Sequence, residues 1–144
     1  MAKDTTQLAV IGAGPGGYAA AFHAADLGME VTLIDPEANP GGACLYRGCI
    51  PSKALLHVAG FIDDAQHASD WGLTVGEVKT DIDKLREWKQ GIVKKLTGGL
   101  GQLSKQRKIN YLRGKAHFED DATLGVTLDG GGTAQVGFEH AILA

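Results

Sequence analysis

Apolar positions fall in short unbroken runs near the start of the chain, in helix-spaced stripes through its middle and in brief segments towards its end. Leu8-Ala9-Val10-Ile11 is a continuous apolar run closed by glycines, the pattern of a strand buried on both faces of a parallel sheet. From Gly16 to Leu27 small and apolar residues dominate (Tyr18, Ala19, Ala20, Ala21, Phe22, Ala24, Ala25, Leu27), and Gly28 offers a C-terminal stop, so a helix is predicted there. Val31-Thr32-Leu33-Ile34 reads as a second buried strand. Strand, helix and strand within about 30 residues make a βαβ unit, whose crossover is right-handed.

Residues 36–53, rich in Pro, Gly and Cys, predict a loop as far as Pro51, which suits an early helical position because no amide partner is needed there. The helix it opens carries Ala54, Leu55, Val58, Ala59 and Ile62 on one face. A longer helical pattern begins near Asp81 and runs through Ile82, Leu85, Trp88, Ile92, Val93, Leu96, Leu100 and Leu103, with Gly98, Gly99 and Gly101 expected to weaken its end. Beyond it the pattern shortens to strands at Ile109–Leu112, Lys115–Phe118, Val126–Leu128 and Ala134–Phe138. Asp129-Gly130-Gly131-Gly132 marks a tight turn between the last two, and Ala141-Ile142-Leu143-Ala144 reads as a further strand. The predicted class is α/β: a parallel sheet with crossover helices and a small β-meander.

A chain of 144 residues with 44% hydrophobic residues and a net charge of −3 is enough for one globular core. Its mild acidity, with no dense Lys/Arg cluster, argues against nucleic-acid or membrane-surface partners. Lys105-Gln106-Arg107-Lys108 reads instead as a solvated helix end. Met1-Ala2-Lys3-Asp4-Thr5-Thr6-Gln7 contains an acid and no long apolar stretch, so it does not resemble a signal peptide. The Ala-rich stretch after Gly17 is cut by His23 and Asp26, well short of the roughly 18 apolar residues of a membrane span. A soluble, cytoplasmic protein is the expectation.

Gly12-Ala13-Gly14-Pro15-Gly16-Gly17 fits the pattern G-x-G-x-x-G between a strand and a helix, the setting of a Rossmann-like dinucleotide site. Gly12 permits the tight turn, Gly14 the approach of a pyrophosphate, and Gly17 the packing of helix on strand. Free amides and the helix dipole at the helix start attract anionic oxygens. An acid is expected about 20 residues further on to accept from a ribose hydroxyl. Asp35 stands there, followed by Pro36. Alone, the motif does not choose between FAD and NAD.

The chain has two cysteines, Cys44 and Cys49. So close a pair in an intracellular chain is catalytic, redox-sensing or metal-binding rather than a structural disulfide. Zinc would need four ligands, and His57 supplies only a third without spacing for a fourth, so no metal site is expected. Inert packing fits poorly with a Gly-rich loop leading into a helix.

The segment Gly41-Gly42-Ala43-Cys44-Leu45-Tyr46-Arg47-Gly48-Cys49-Ile50-Pro51-Ser52-Lys53 closely resembles the redox-active disulfide motif of the flavin disulfide reductases. Its continuation into Ala54-Leu55-Leu56 is similar to the dihydrolipoamide dehydrogenase branch of that family, ahead of the mercuric and glutathione reductase branches. Four intervening residues allow a small disulfide ring, with Gly48 relaxing the turn. At a helix entrance the Cys49 thiolate, the species that exchanges sulfur, would be stabilised. The resemblance implies that Cys49 faces the flavin, that Cys44 exchanges with the substrate disulfide and that Lys53 lies near the flavin ring.

Gly114-Lys115-Ala116-His117-Phe118 is similar to a later strand of the family that meets the adenine of FAD around Lys115 and Ala116. The resemblance extends over essentially the whole chain and implies that residues 1–144 are the N-terminal FAD-binding part of a longer enzyme, with Gly12, Gly14, Pro15, Gly16, Gly17, Asp35, Pro36, Gly42, Ala43, Cys44, Gly48, Cys49, Lys53, Lys115 and Ala116 at the cofactor. An NAD-binding domain and a C-terminal interface domain would be missing, so turnover by this chain alone is not expected. The complete enzyme would be a homodimer that oxidises the lipoyl groups of 2-oxoacid dehydrogenase or glycine cleavage complexes with NAD. A stand-alone FAD-binding module is the competing reading, which an exchange-ready cysteine motif disfavours. None of His23, His57, His67, His117 and His140 matches the family's acid–base motif. Two positions depart from the family: Ala43 stands where Thr is usual, and Asp35 replaces the commoner Glu with a shorter reach.

Overall fold

A computed structural model describes residues 4–144; the leader reading at Met1–Lys3 falls outside the described residues. In chain order the elements are β1 Asp4–Ile11, α1 Pro15–Asp26, β2 Val31–Asp35, α2 Gly42–Tyr46, α3 Cys49–His67, a 3-10 turn at Ala68–Trp71, α4 Ile82–Gln106, β3 Asn110–Asp120, β4 Thr123–Leu128 and β5 Thr133–Leu143.

The βαβ start forms where the apolar runs place it. Strand β1 lies parallel to β2, with Leu8 opposite Val31 and Ile11 opposite Ile34. Alternate residues of β1 serve two cores, which is why the run is apolar throughout. Leu8 and Val10 pack with Ala21 and Ala24 of α1 and with Val31 and Leu33. Ala9 points the other way, with Ile34, Leu124, Val126 and Val136.

The parallel sheet and the meander are both present but share their long strands, so the sheet as a whole is mixed. Strand β1 also pairs parallel with β5, β2 pairs parallel with β3, and β4 joins β3 and β5 antiparallel, so the order β1-β2-β3-β4-β5 closes into a barrel. Two pairs of expected short strands are therefore two long ones. Strand β3 takes in most of the first pair and β5 most of the second, because each strand leaves one neighbour for another without breaking. In β3 the change of partner falls at Gly114, where a Cβ would lie 2.4 Å from the Thr127 carbonyl oxygen.

Three helical expectations are corrected. Helix α3 starts at Cys49 and the short α2 precedes it, so residues 36–53 are not all loop. Its buried side carries Pro51 and Ala54, whereas Leu55 is 42% exposed. Helix α4 does not fail at its glycines but runs to Gln106, because Gly101 sits on the buried stripe Val93, Thr97, Gly101 and Ser104. Asp81 caps that helix: its Oδ1 accepts from the amides of Asp83 and Lys84, both at 3.1 Å. The basic end of α4 is largely solvated as expected, with Lys105, Gln106 and Lys108 exposed, and Arg107 alone is held against α1. The Arg107 Nε lies 2.9 Å from Asp26 Oδ1, and its guanidinium sits 5.0 Å from the Phe22 ring centroid. Among the described residues no helix is long and apolar enough to cross a membrane.

Candidate functional site

The glycine loop joins the end of β1 to α1. Gly14 is the N-cap of α1, no side chain caps that end, and no acid stands in its first turn, so its outward amides are left for an anion. Helix and strand are pressed together at Gly17, where a Cβ would fall 1.8 Å from the Gly12 carbonyl oxygen. Pro15 and Gly16 are exposed on the outer side of the turn.

Asp35 ends β2 beneath this loop and is only 8% exposed. Its Oδ2 accepts from the Ala13 amide at 2.7 Å and its Oδ1 from the Glu37 amide at 2.9 Å. The carboxylate therefore ties the glycine loop to the turn after β2. With about four lone-pair sites on a carboxylate, it keeps capacity for a further donor such as a ribose hydroxyl.

The cysteine loop is packed directly on the glycine loop. The Gly41 amide donates to the Ala13 carbonyl at 2.8 Å. Gly42 has φ +57°, and a Cβ on it would lie 2.5 Å from the Gly14 Cα. Backbone this close requires glycine in both loops. Ala43 and Cys44 then lie in α2, and Gly48 caps α3 so that Cys49 is its first residue. A Cβ at Gly48 would come within 3.0 Å of the Ala43 carbonyl oxygen and 3.3 Å of the Cys44 Cα, so the turn folds back tightly over Cys44.

The two thiols are unlinked, with Cys44 half-buried and Cys49 exposed. Cys44 holds its proton above the ordinary thiol range, chiefly through a side-chain hydrogen bond with Cys49, then through burial and the Cys49 charge, while the Lys53 charge acts in the opposite sense. The two thiols are thus hydrogen-bonding neighbours in the dithiol form. Lys53 stands four residues after Cys49, on the same side of α3, and is exposed.

A cleft of about 310 Å³ opens beside these loops, lined by Gly12, Ile34, Pro36, Lys115 and Ala116 together with Gly114 and Ala144. It unites three sequence-predicted groups: the glycine turn, the end of β2 and the Lys115–Ala116 stretch of β3. Its volume lies at the small end of the range for ligand pockets, on the scale of one end of a dinucleotide.

Sequence reasoning passed over the side chains that brace the turn after β2. The Tyr46 hydroxyl bonds both backbone groups of Asn39, Arg47 pairs with Glu37, and the Tyr111 hydroxyl donates to the Glu37 carbonyl at 3.0 Å. Arg113 Nε donates to the Pro36 carbonyl at 3.1 Å, and its Nη2 lies 2.9 Å from Asp129 Oδ2. Tyr46 and Arg47 sat in plain view between the cysteines, yet spacing alone makes them look like filler.

Comparison with known proteins covers nearly all of this structure. Dihydrolipoyl dehydrogenase of Vibrio cholerae is 48% identical over 145 residues, which take in 100% of this chain and 30% of that protein. The protein of the same name from Buchnera aphidicola subsp. Acyrthosiphon pisum is 49% identical over 125 residues, 87% of this chain and 26% of its own length. That from Bacillus subtilis is 44% identical over 139 residues, 96% of this chain and 29% of its own. The chain thus spans about 30% of the length of these curated relatives. A sequence family described as pyridine nucleotide-disulphide oxidoreductase matches residues 6–144, through both loops and nearly all of the barrel. This chain belongs to the pyridine nucleotide-disulphide oxidoreductase family.

Proposed function

We propose that this chain is the FAD-holding, disulfide-bearing domain of an oxidoreductase of the dihydrolipoyl dehydrogenase type. The observation that carries the reading is the seating of the cysteine loop on the glycine loop, Gly42 against Gly14, with two interacting thiols at the mouth of α3. A binding module has no use for exchange-ready thiols at that place.

The residues divide the work as follows. Amides of Gly14, Gly16 and Gly17 hold the pyrophosphate at the start of α1, with Pro15 shaping the turn. Asp35 accepts from the adenosine ribose, and Pro36, Lys115 and Ala116 wall the cleft beside it. Gly42 and Gly48 present backbone only and Ala43 no more than a methyl group, which keeps the approach to the cysteines open. Cys44, the first cysteine of the motif, is the thiol that exchanges with substrate. Cys49 sits towards the cofactor, and Lys53 places a positive charge on its side of α3. When bound, FAD supplies electron transfer between the thiol pair and the pyridine nucleotide.

In the complete enzyme a dihydrolipoyl group loses two electrons and two protons as its sulfurs join, and NAD⁺ is reduced to NADH with release of one proton. NAD binding and the subunit interface would fall to other domains of the complete enzyme. The lipoyl groups are those of 2-oxoacid dehydrogenase or glycine cleavage complexes, and the enzyme works as a cytoplasmic homodimer.

The test is to add FAD to the purified chain, remove the excess and record the absorbance spectrum, alongside thiol counting before and after mild oxidation. A retained flavin spectrum and loss of both thiols in one intramolecular bond are expected. A folded chain that retains no flavin, or whose thiols do not join, contradicts the proposal.

A further inference from the structure

Tyr46 and Arg47 lie inside the ring that a Cys44–Cys49 bond would close, yet both side chains turn away to the Glu37–Asn39 turn after β2. The Tyr46 hydroxyl donates to the Asn39 carbonyl at 3.1 Å and accepts from the Asn39 amide at 3.2 Å. Arg47 donates to the Glu37 carboxylate, and its guanidinium sits 6.0 Å from the Tyr46 ring centroid.

The turn they grip is held on its other sides. The Glu37 amide donates to Asp35 Oδ1 at 2.9 Å, and Tyr111 donates to the Glu37 carbonyl at 3.0 Å. The Asn39 side chain fills the space left by Gly101 of α4, where a Cβ would lie 2.1 Å from its Oδ1. A turn fixed by β2, β3 and α4 is a rigid post.

We propose that Tyr46, assisted by Arg47, is a positioning residue that sets the thiol–disulfide equilibrium of Cys44 and Cys49 by tethering the loop between them to this post. The inference rests on the reading of the pair as redox-active. Ring closure joins the two sulfurs and releases two electrons and two protons, which oxidised dithiothreitol takes up as its own disulfide opens to a dithiol.

The tether acts mainly on the open form. An untethered dithiol loop gains conformational freedom that it loses again on closing, whereas a tethered loop keeps its sulfurs together in both forms. Tyr46 therefore favours the disulfide, and removing its hydroxyl favours the dithiol.

The test equilibrates the purified chain in graded ratios of reduced to oxidised dithiothreitol, traps thiols by alkylation in acid-quenched samples and counts them by mass. Tyr46→Phe is expected to move the midpoint about threefold to tenfold towards the dithiol, the range of one net hydrogen bond. Tenfold corresponds to about 30 mV for a two-electron couple. Arg47→Ala moves it the same way by less, because an exposed ion pair contributes little. Tyr111→Phe is the structural control: it removes a bond to the same post from outside the ring and lowers the unfolding midpoint while moving the redox midpoint less than twofold. A parent and Tyr46→Phe sharing one midpoint, or Tyr111→Phe shifting it as far as Tyr46→Phe, overturns the tether alone. A parent that forms no Cys44–Cys49 bond at any ratio overturns the redox reading and the tether together.

Discussion

Replacing Gly17 by alanine sets two effects against each other within one helical turn. Alanine is the better helix former by about 1 kcal/mol in a helix interior, so propensity alone predicts a gain. The contacts predict the reverse. The added Cβ would stand 1.8 Å from the Gly12 carbonyl oxygen, 2.9 Å from its carbon and 3.4 Å from the Ala144 Cβ. The nearest two atoms are backbone and cannot rotate aside, so α1 must retreat from β1 by more than an ångström to restore ordinary contact. Overpacking of this kind costs about 1–3 kcal/mol, occasionally more, and outweighs propensity. Gly16→Ala is the internal comparison, since nothing lies within 4 Å of its Cβ position. It is expected to be neutral or to gain up to about 1 kcal/mol. The assay is urea unfolding followed by far-ultraviolet circular dichroism. With a urea slope of about 2 kcal/mol per molar, the two variants should unfold about 0.5–2 M apart. Coincident midpoints, or Gly17→Ala at or above the parent, would refute the reasoning.

Three further outcomes follow from buried or interacting groups. Asp35→Asn leaves one oxygen for two amide donors, Ala13 and Glu37, and should lose about 1–3 kcal/mol in the same urea assay; a change under about 0.5 kcal/mol would contradict the double acceptor role. Cys44 should alkylate with a midpoint above the ordinary thiol range; Cys49→Ser brings that midpoint down, because the Cys49 contact holds it up, and Lys53→Met raises it further, because the Lys53 charge opposes that contact. Mass-resolved iodoacetamide rates across pH check this, and a Cys44 midpoint indifferent to Cys49 would count against it. Burial, aided by the Asp35 charge, pushes the Tyr111 phenol up. That contribution to stability is whole below the unfolded value of about 10 and is lost as pH rises beyond it, because the unfolded chain ionises first. Tyr111→Phe should therefore flatten the fall in unfolding midpoint above about pH 10; an equally steep fall would be the contrary result.

What was legible in the sequence is what local pattern controls. The run Leu8–Ile11, the glycine turn, the Ala-rich helix and Asp35 are close along the chain, and each constrains its neighbour, so the βαβ unit could be laid out residue by residue. Asp81 likewise announces α4, because a cap acts within the first turn. Barrel closure was not legible, since the pairing of β1 with β5 joins Leu8 to His140 and depends on no local period. Gly101 misled for a related reason: read locally a glycine weakens a helix, yet here it lets Asn39 approach α4. At the site, motif spacing marked the cysteines and the glycine loop, while the bracing by Tyr46, Arg47 and Tyr111 depends on where side chains turn in three dimensions.

The most direct measurement takes the chain reconstituted with FAD, adds one equivalent of dithionite without oxygen and compares the visible spectra of the parent, Cys44→Ser and Cys49→Ser. With Cys49 beside the flavin, a long-wavelength charge-transfer band should develop in the parent on reduction, be present in Cys44→Ser before dithionite and fade as its flavin takes the electrons, and be missing from Cys49→Ser before and after. Flavin retained by all three proteins with the same spectrum in each would contradict the placing of the redox pair at the cofactor.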